Sequence, residues 1–227
     1  GEWYMIVHWG PAGRLTGIAS GYWKMNMREW VLVAGFMLLS GCGTPPTSLP
    51  DLNASYERAL ERTAPLAEIL APGSEAERLA FGNVQRYFAG MTPASVREQT
   101  ASVYAPDCYL NDTLVGIDGA PAVEAYFGHT VQQATQLKVE FLERAPVGSD
   151  WYVRWRMTVA ADGLNGGKAV VTYGVTQFRF DASGRVLIHK DFWDAGTGLY
   201  EQIPVLGRVL GRVRAAVEAG ARVPSAR

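Results

Sequence analysis

An α+β domain is predicted by a change of hydrophobic period along the chain, in which three N-terminal helices pack on one face of a strongly curved antiparallel sheet. Up to about residue 134 apolar side chains recur every three to four positions, and from there to residue 194 they alternate. Glycine-containing turns join the alternating runs, which makes them antiparallel neighbours, and an amphipathic run after residue 200 adds an extra C-terminal helix.

The elements follow in order. Over residues 54–71, Tyr56, Leu60, Leu66, Ile69 and Leu70 stand at loosely helical spacing interrupted by Pro65, which predicts one or two short helices that either pack on the domain or only lead into it. Ser74 is a good N-cap with Glu77 at the capping-box position, and Leu79, Phe81, Val84, Tyr87 and Phe88 carry an amphipathic helix to about Gly90. Thr92-Pro93 opens a second helix over 94–104 with Val96, Thr100 and Val103 inward, and Ala105-Pro106-Asp107 stops it. A short strand at 108–112 and a turn at 116–119 precede a third helix over 120–134. Leu137, Val139 and Phe141 then alternate with polar residues, as do Trp151, Val153, Trp155, Met157 and Val159. A long strand over 168–180 turns through Asp181-Ala182-Ser183-Gly184 into a last strand over 185–194. Ile203, Leu206, Val209, Leu210 and Val213, with Arg208, Arg212 and Arg214 opposite, make the closing helix over 203–217.

Upstream of the domain, Lys24 and Arg28 precede the apolar run 30–39, which ends in Leu39-Ser40-Gly41-Cys42. Ten apolar residues fit the h-region of a secretory signal, about 7–15 residues, and fall short of the roughly 20 that span a bilayer. The four-residue string resembles the bacterial lipobox, which implies cleavage before Cys42, a diacylglyceryl thioether on its sulfur and acylation of the new amino terminus. Two acyl chains anchor stably, so the expected partner is a lipid bilayer and the expected place the non-cytoplasmic side of a bacterial envelope membrane. Residues 1–24 carry aromatics without a period and read as lying before the native start. The organisation is therefore an upstream segment (1–24), a lipoprotein signal (25–41), a lipidated cysteine with tether and short helical lead-in (42–73), a domain (74–200), and an amphipathic helix with tail (201–227).

Composition limits the chemistry. Hydrophobic content of 48% and charged content of 19% describe a packed chain, and a net charge of −1 gives no pull toward nucleic acid. Of two cysteines, lipidation consumes Cys42, which leaves Cys108 as a buried thiol. Three histidines without ligand spacing make no metal site, and the glycines at 163–167 form a turn and not a phosphate loop, because no helix and lysine follow in order. No cofactor is expected.

In the segment order and in local strings, residues 75–194 resemble the nuclear transport factor 2-like superfamily, in particular its SnoaL-like and ketosteroid isomerase-like members. The strings are Gln85-Arg86-Tyr87-Phe88-Ala89-Gly90, Val103-Tyr104-Ala105-Pro106-Asp107, Gly119-Ala120-Pro121-Ala122-Val123 and Gln177-Phe178-Arg179-Phe180-Asp181-Ala182-Ser183-Gly184-Arg185-Val186. The resemblance implies a cone-shaped fold, a cavity for a small apolar or amphipathic ligand, and a homodimer through the sheet face. Carried over from ketosteroid isomerases, it puts the oxyanion tyrosine at Tyr87 and the base at Asp112, while the position of the protonated acid holds Thr176.

Period two adds a second set. His189, Asp191 and Trp193 share one face of the last strand, with His189 and Asp191 about 7 Å apart; the matching face in the family lines the pocket, as do the positions of Thr176, Phe178 and Tyr104. Either His189 is an acid or base with Asp191 as a partner to Asp112, or both are hydrogen-bonded to Tyr87, Tyr200 or the backbone and close the bottom of the cone. Two functions are open: a tethered binding module, or a cofactor-independent isomerase, cyclase or hydrolase using Asp112 or His189 as base and Tyr87 as oxyanion donor.

Overall fold

The structure, a computed structural model, describes residues 51–221. The segments assigned to residues 1–50, with the lipidation site Cys42, and the last six residues lie outside it. Among the described residues no helix is long and apolar enough to cross a membrane.

The elements are α1 (Leu52–Thr63), α2 (Glu75–Ala89), α3 (Pro93–Val103), β1 (Tyr104–Asn111), β2 (Gly116–Asp118), α4 (Ala120–Gln133), β3 (Ala134–Val147), β4 (Asp150–Ala161), β5 (Val170–Phe180), β6 (Val186–Trp193), α5 (Ala195–Gly198) and α6 (Pro204–Ala221). The six strands form one open sheet in the order β2-β1-β6-β5-β4-β3. β3 to β6 are consecutive antiparallel neighbours, as their alternation predicts, whereas β1 runs parallel to β6 and pairs antiparallel with β2. Register shifts at Phe141/Glu143 and Arg179/Phe180 insert extra residues on one strand of a pair, which bends the sheet.

Where structure and expectation part, local hydrogen bonding decides. β1 begins at Tyr104 and runs through Ala105-Pro106-Asp107, and 116–118 is a strand and not a turn; the exposed Pro106 and Asp107 sit where the β1–β6 register breaks, so the missing proline N–H costs no ladder bond. Ser74 caps α2 through the Glu77 amide at 3.1 Å, but Glu77 does not close a capping box: its buried carboxylate takes the Arg144 guanidinium of β3. A reciprocal box forms instead between Thr92 and Ser95 at the start of α3.

The helices α2, α3 and α4 lie across the inner face of the sheet. Phe81 of α2 sits edge-on to Trp151, Phe178 and Phe180 at 5.1–6.4 Å between ring centroids, and Val84, Val96, Val103 and Val123 complete this core. The lead-in helix α1 docks on the opposite face. Ala59 packs on Tyr109 and Ile188, the Ser55 and Tyr109 hydroxyls are 2.7 Å apart, and the Tyr56 hydroxyl donates to Gln177. Gln177, Arg179 and Ile188 alternate with Phe178 and His189, so α1 covers the outer face over β1, β6 and β5.

Cys108 is buried and burial pushes its thiol up to about 12. The thiolate is the reactive form, and it is scarce below the raised value. At pH 8, iodoacetamide is therefore expected to leave the Cys108 peptide unmodified in the native protein and to alkylate it fully in urea; rapid native labelling in peptide mass spectra would contradict the assigned burial.

Candidate functional site

Between the helices and the inner face of the sheet lies a cavity of about 250 Å³. Its walls are Phe88 of α2, Tyr126 and Phe127 of α4, Leu137, Val139 and Phe141 of β3, Trp155, Met157 and Val159 of β4, and Phe178 of β5. Leu114, Leu164 and Leu199, from three connecting segments, complete the apolar lining. Asp112, Thr176, His189, Asp191 and Trp193 supply polar atoms.

Period two is what aims the strand residues inward. In β6, His189, Asp191 and Trp193 face the cavity while Ile188 and Lys190 face out, and in β5 Thr176 pairs across the ladder with Asp191. Gly174 of β5 stands opposite Trp155, and a β-carbon there would meet the indole at 2.3 Å. The glycine thus lets the indole lie over β5, where its Nε1 donates to Thr176 Oγ1 at 2.8 Å.

A chain of hydrogen bonds crosses the floor. The Tyr104 hydroxyl meets His189 Nδ1 at 2.8 Å, His189 Nε2 meets Asp191 Oδ1 at 3.1 Å, and the Thr176 hydroxyl donates to the same Oδ1. One assignment of hydrogens satisfies every member: Tyr104 donates to Nδ1, Nε2–H donates to Asp191, and Trp155 donates to Thr176. Burial holds the Tyr104 hydroxyl well above its ordinary pKa, which keeps it a donor. Among the described residues none donates to Asp191 Oδ2, and this carboxylate lines the cavity.

Asp112 is placed differently. Its Oδ1 accepts from the Leu114 and Val115 amides, both at 2.9 Å, and its Oδ2 accepts from the Tyr126 hydroxyl. Thr113 adopts φ +80°, a conformation a β-branched residue rarely takes, within this turn, and Trp193 Nε1 donates to the Asp112 carbonyl at 2.7 Å. Burial, with the Asp112 charge next in effect, raises the Tyr126 hydroxyl strongly, so it too stays a donor.

The structure therefore brings Asp112, Thr176, Phe178, His189, Asp191 and Trp193 to one cavity. Two expected residues stand elsewhere. Tyr87 turns its hydroxyl onto Thr100 at 2.8 Å in the helical core, and burial pushes it up to about 12, so it presents no donor to the cavity. Tyr104 lies behind His189, with its ring stacked on the imidazole at 6.1 Å between centroids, and touches the cavity only through it. The bonds of His189 and Asp191 run to Tyr104 and Thr176, and not to Tyr87 or Tyr200. Tyr126, Phe127 and Thr130 of α4 were not among the expected site residues, although their i, i+1, i+4 placement puts them on one helix face. Among the described residues no cluster of histidine, cysteine or carboxylates can hold a metal.

Residues 84–189 match the SnoaL-like domain family. No curated protein matches the chain in sequence. Solved structures of similar shape are remote. An LEH-like epoxide hydrolase of M. tuberculosis shares 11% identity over 65% of this chain and 97% of its own, with a TM-score of 0.47. An NTF2-like protein of unknown function from Exiguobacterium sp. 255-15 shares 13% over 51% and 98%, with a TM-score of 0.45. Another from Burkholderia pseudomallei K96243 shares 15% over 56% of this chain and 99% of its own, at 0.46. The family match falls on the helices and strands that build the cavity, so it is in this region, residues 84–189, that the chain is similar to SnoaL-like domains.

Proposed function

We propose that the chain is a membrane-tethered lipoprotein, anchored through acylated Cys42, whose SnoaL-like domain holds a small apolar or amphipathic ligand. The observation that carries the binding role is the use made of hydrogen-bond donors around the cavity. The side-chain donors of Tyr126, Thr130, Trp155, Thr176, His189 and Trp193 are all engaged within the protein. A cavity that is to stabilise an enolate-like oxygen needs donors aimed at the developing charge, and these six side chains spend theirs on protein acceptors. The catalytic alternative, with Asp112 or His189 as base and Tyr87 as oxyanion donor, is further weakened because Asp112 is bonded at both oxygens, His189 at both nitrogens, and Tyr87 faces Thr100. Largely apolar walls suit retention of a ligand by burial.

On the same reading a homodimer uses the part of the outer sheet face that α1 leaves open, where Val171, Tyr173 and Phe192 are exposed. The tether tests separately from the cavity. Mass spectrometry of the purified native protein is expected to show a diacylglyceryl-modified Cys42 at the new amino terminus, and an unmodified Cys42 within an uncut chain would reject the anchor. Solvent extraction of the same protein is expected to release an apolar compound of low mass. If no compound is released and no apolar probe binds the stripped protein, the cavity is not a binding site.

A further inference from the structure

We infer that the ligand is a small apolar amine, bound as its ammonium ion with Asp191 Oδ2 as acceptor. This rests on the ligand-binding reading above and narrows it to a chemical class. Three observations converge on it.

The polar lining offers acceptors without donors. With every side-chain donor around the cavity already committed, a ligand acceptor such as a ketone or carboxylate finds no partner there, and burying it unpaired costs free energy. Asp191 Oδ2, by contrast, is a carboxylate oxygen without a donor among the described residues. Only a ligand that donates completes it.

The charge balance of the lining favours a cation. Asp112 and Asp191 line the cavity, and no lysine or arginine does. The nearest ammonium in sequence, Lys190, points to the other face of the sheet, where its Nζ donates to Asn111 at 2.8 Å and lies 5.1 Å from the Phe192 ring centroid. Desolvation lowers its pKa, against the opposing pull of the Asp191 and Asp112 charges. A ligand without a donor leaves Asp191 Oδ2 unpaired against an apolar space, whereas an ammonium ion forms a charge-assisted bond with it.

The walls are aromatic. Phe127, Trp155, Phe178 and Trp193 line the same cavity as the carboxylate, and aromatic faces attract a cation within about 6 Å while packing an apolar body equally well. Size sets the scale of that body. A cavity of about 150 Å³ holds benzene, so 250 Å³ admits a ligand of roughly ten non-hydrogen atoms.

Four probes sharing one phenyl body separate the possibilities: 2-phenylethylamine, 2-phenylethanol, phenylacetate and ethylbenzene, each titrated by calorimetry into the stripped full-length protein at pH 7. The amine is expected to bind at least about tenfold tighter than the alcohol and ethylbenzene, and phenylacetate not to bind, since a hydrogen bond to a charged partner is the stronger one. Asp191→Asn is expected to bring the amine to within about threefold of the alcohol while the alcohol's affinity holds, because the amide oxygen stays on Thr176 and His189 and the NH2 takes the place of Oδ2, where an ammonium finds neither acceptor nor charge and a hydroxyl can still accept. Equal or tighter binding of the alcohol or phenylacetate overturns the amine assignment and leaves the ligand-binding reading in place. Binding of none of the four overturns both. Retention of the amine preference in Asp191→Asn overturns the role of Asp191, and if that variant fails to fold the four-probe ranking on the native protein decides by itself.

Discussion

Replacing Arg179 with alanine is expected to lower the free energy of unfolding by about 3–5 kcal/mol, because it strands a largely buried carboxylate. The Arg179 side chain is 9% exposed and its partner Asp150 15%, and the pair is bidentate, with Nε to Oδ1 at 2.7 Å and Nη2 to Oδ2 at 3.0 Å. The third nitrogen, Nη1, donates to the Leu60 carbonyl at 2.9 Å and to Thr63 Oγ1 at 3.0 Å, both on α1. One guanidinium therefore neutralises Asp150 and ties the lead-in helix to the sheet. Urea unfolding measures the loss, and hydrogen exchange over residues 52–63 should rise more than over α2. The paired variant Arg179→Met with Asp150→Leu is expected to recover most of the stability, since a buried ion pair exchanged for apolar groups is often neutral. Unchanged exchange in α1 on Arg179→Ala would show that the helix is held by its apolar contacts alone.

A second large effect is expected at Gly174. An alanine β-carbon there would lie 2.3–2.9 Å from three atoms of the Trp155 indole, so the ring must leave its place over β5. Overpacking of this kind costs about 1–3 kcal/mol. The displacement also breaks the Trp155–Thr176 bond and loosens the support under Asp191, so ligand affinity should fall together with the thermal midpoint. Tryptophan emission reports the ring directly. Gly211→Ala is the control: a β-carbon at that site in α6 meets nothing within 4 Å, and a mid-helix glycine to alanine change is worth about 0.5–1 kcal/mol in the stabilising direction. Equal midpoints for the native protein and Gly174→Ala would refute the contact.

Much of the architecture was legible because it rests on local period. Alternation over Trp151 to Val159 and His189 to Trp193 is a consequence of the pleat, and it identified the residues that face the helices whatever the sheet's curvature. The N-cap at Ser74 and the stop after Gly90 were equally local. The parallel pairing of β1 with β6 was not legible, because a long-range ladder leaves no periodic trace in either strand. Nor was the docking of α1, since Arg179, Asp150 and Leu60 are far apart in sequence and only the fold brings them within hydrogen-bond reach.

The site divides the same way. By itself the sequence determined an α+β chain with His189, Asp191 and Trp193 on one strand face, because side-chain direction in a strand depends on parity alone. It also marked Tyr87 and Asp112 by local strings, and strings carry no information on where a hydroxyl or carboxylate finds its partner. That depends on which groups three-dimensional packing places within about 3 Å. The tertiary structure decided that Tyr87 bonds Thr100 and that Asp112 is bound up in its own turn and by Tyr126. Of the two aspartates lining the cavity, Asp191 keeps an oxygen without a donor among the described residues. The physical reason is that hydrogen bonds among buried groups are settled by geometry across elements, so which cavity-facing carboxylate oxygen stays unpaired is visible only once its neighbours' partners are known.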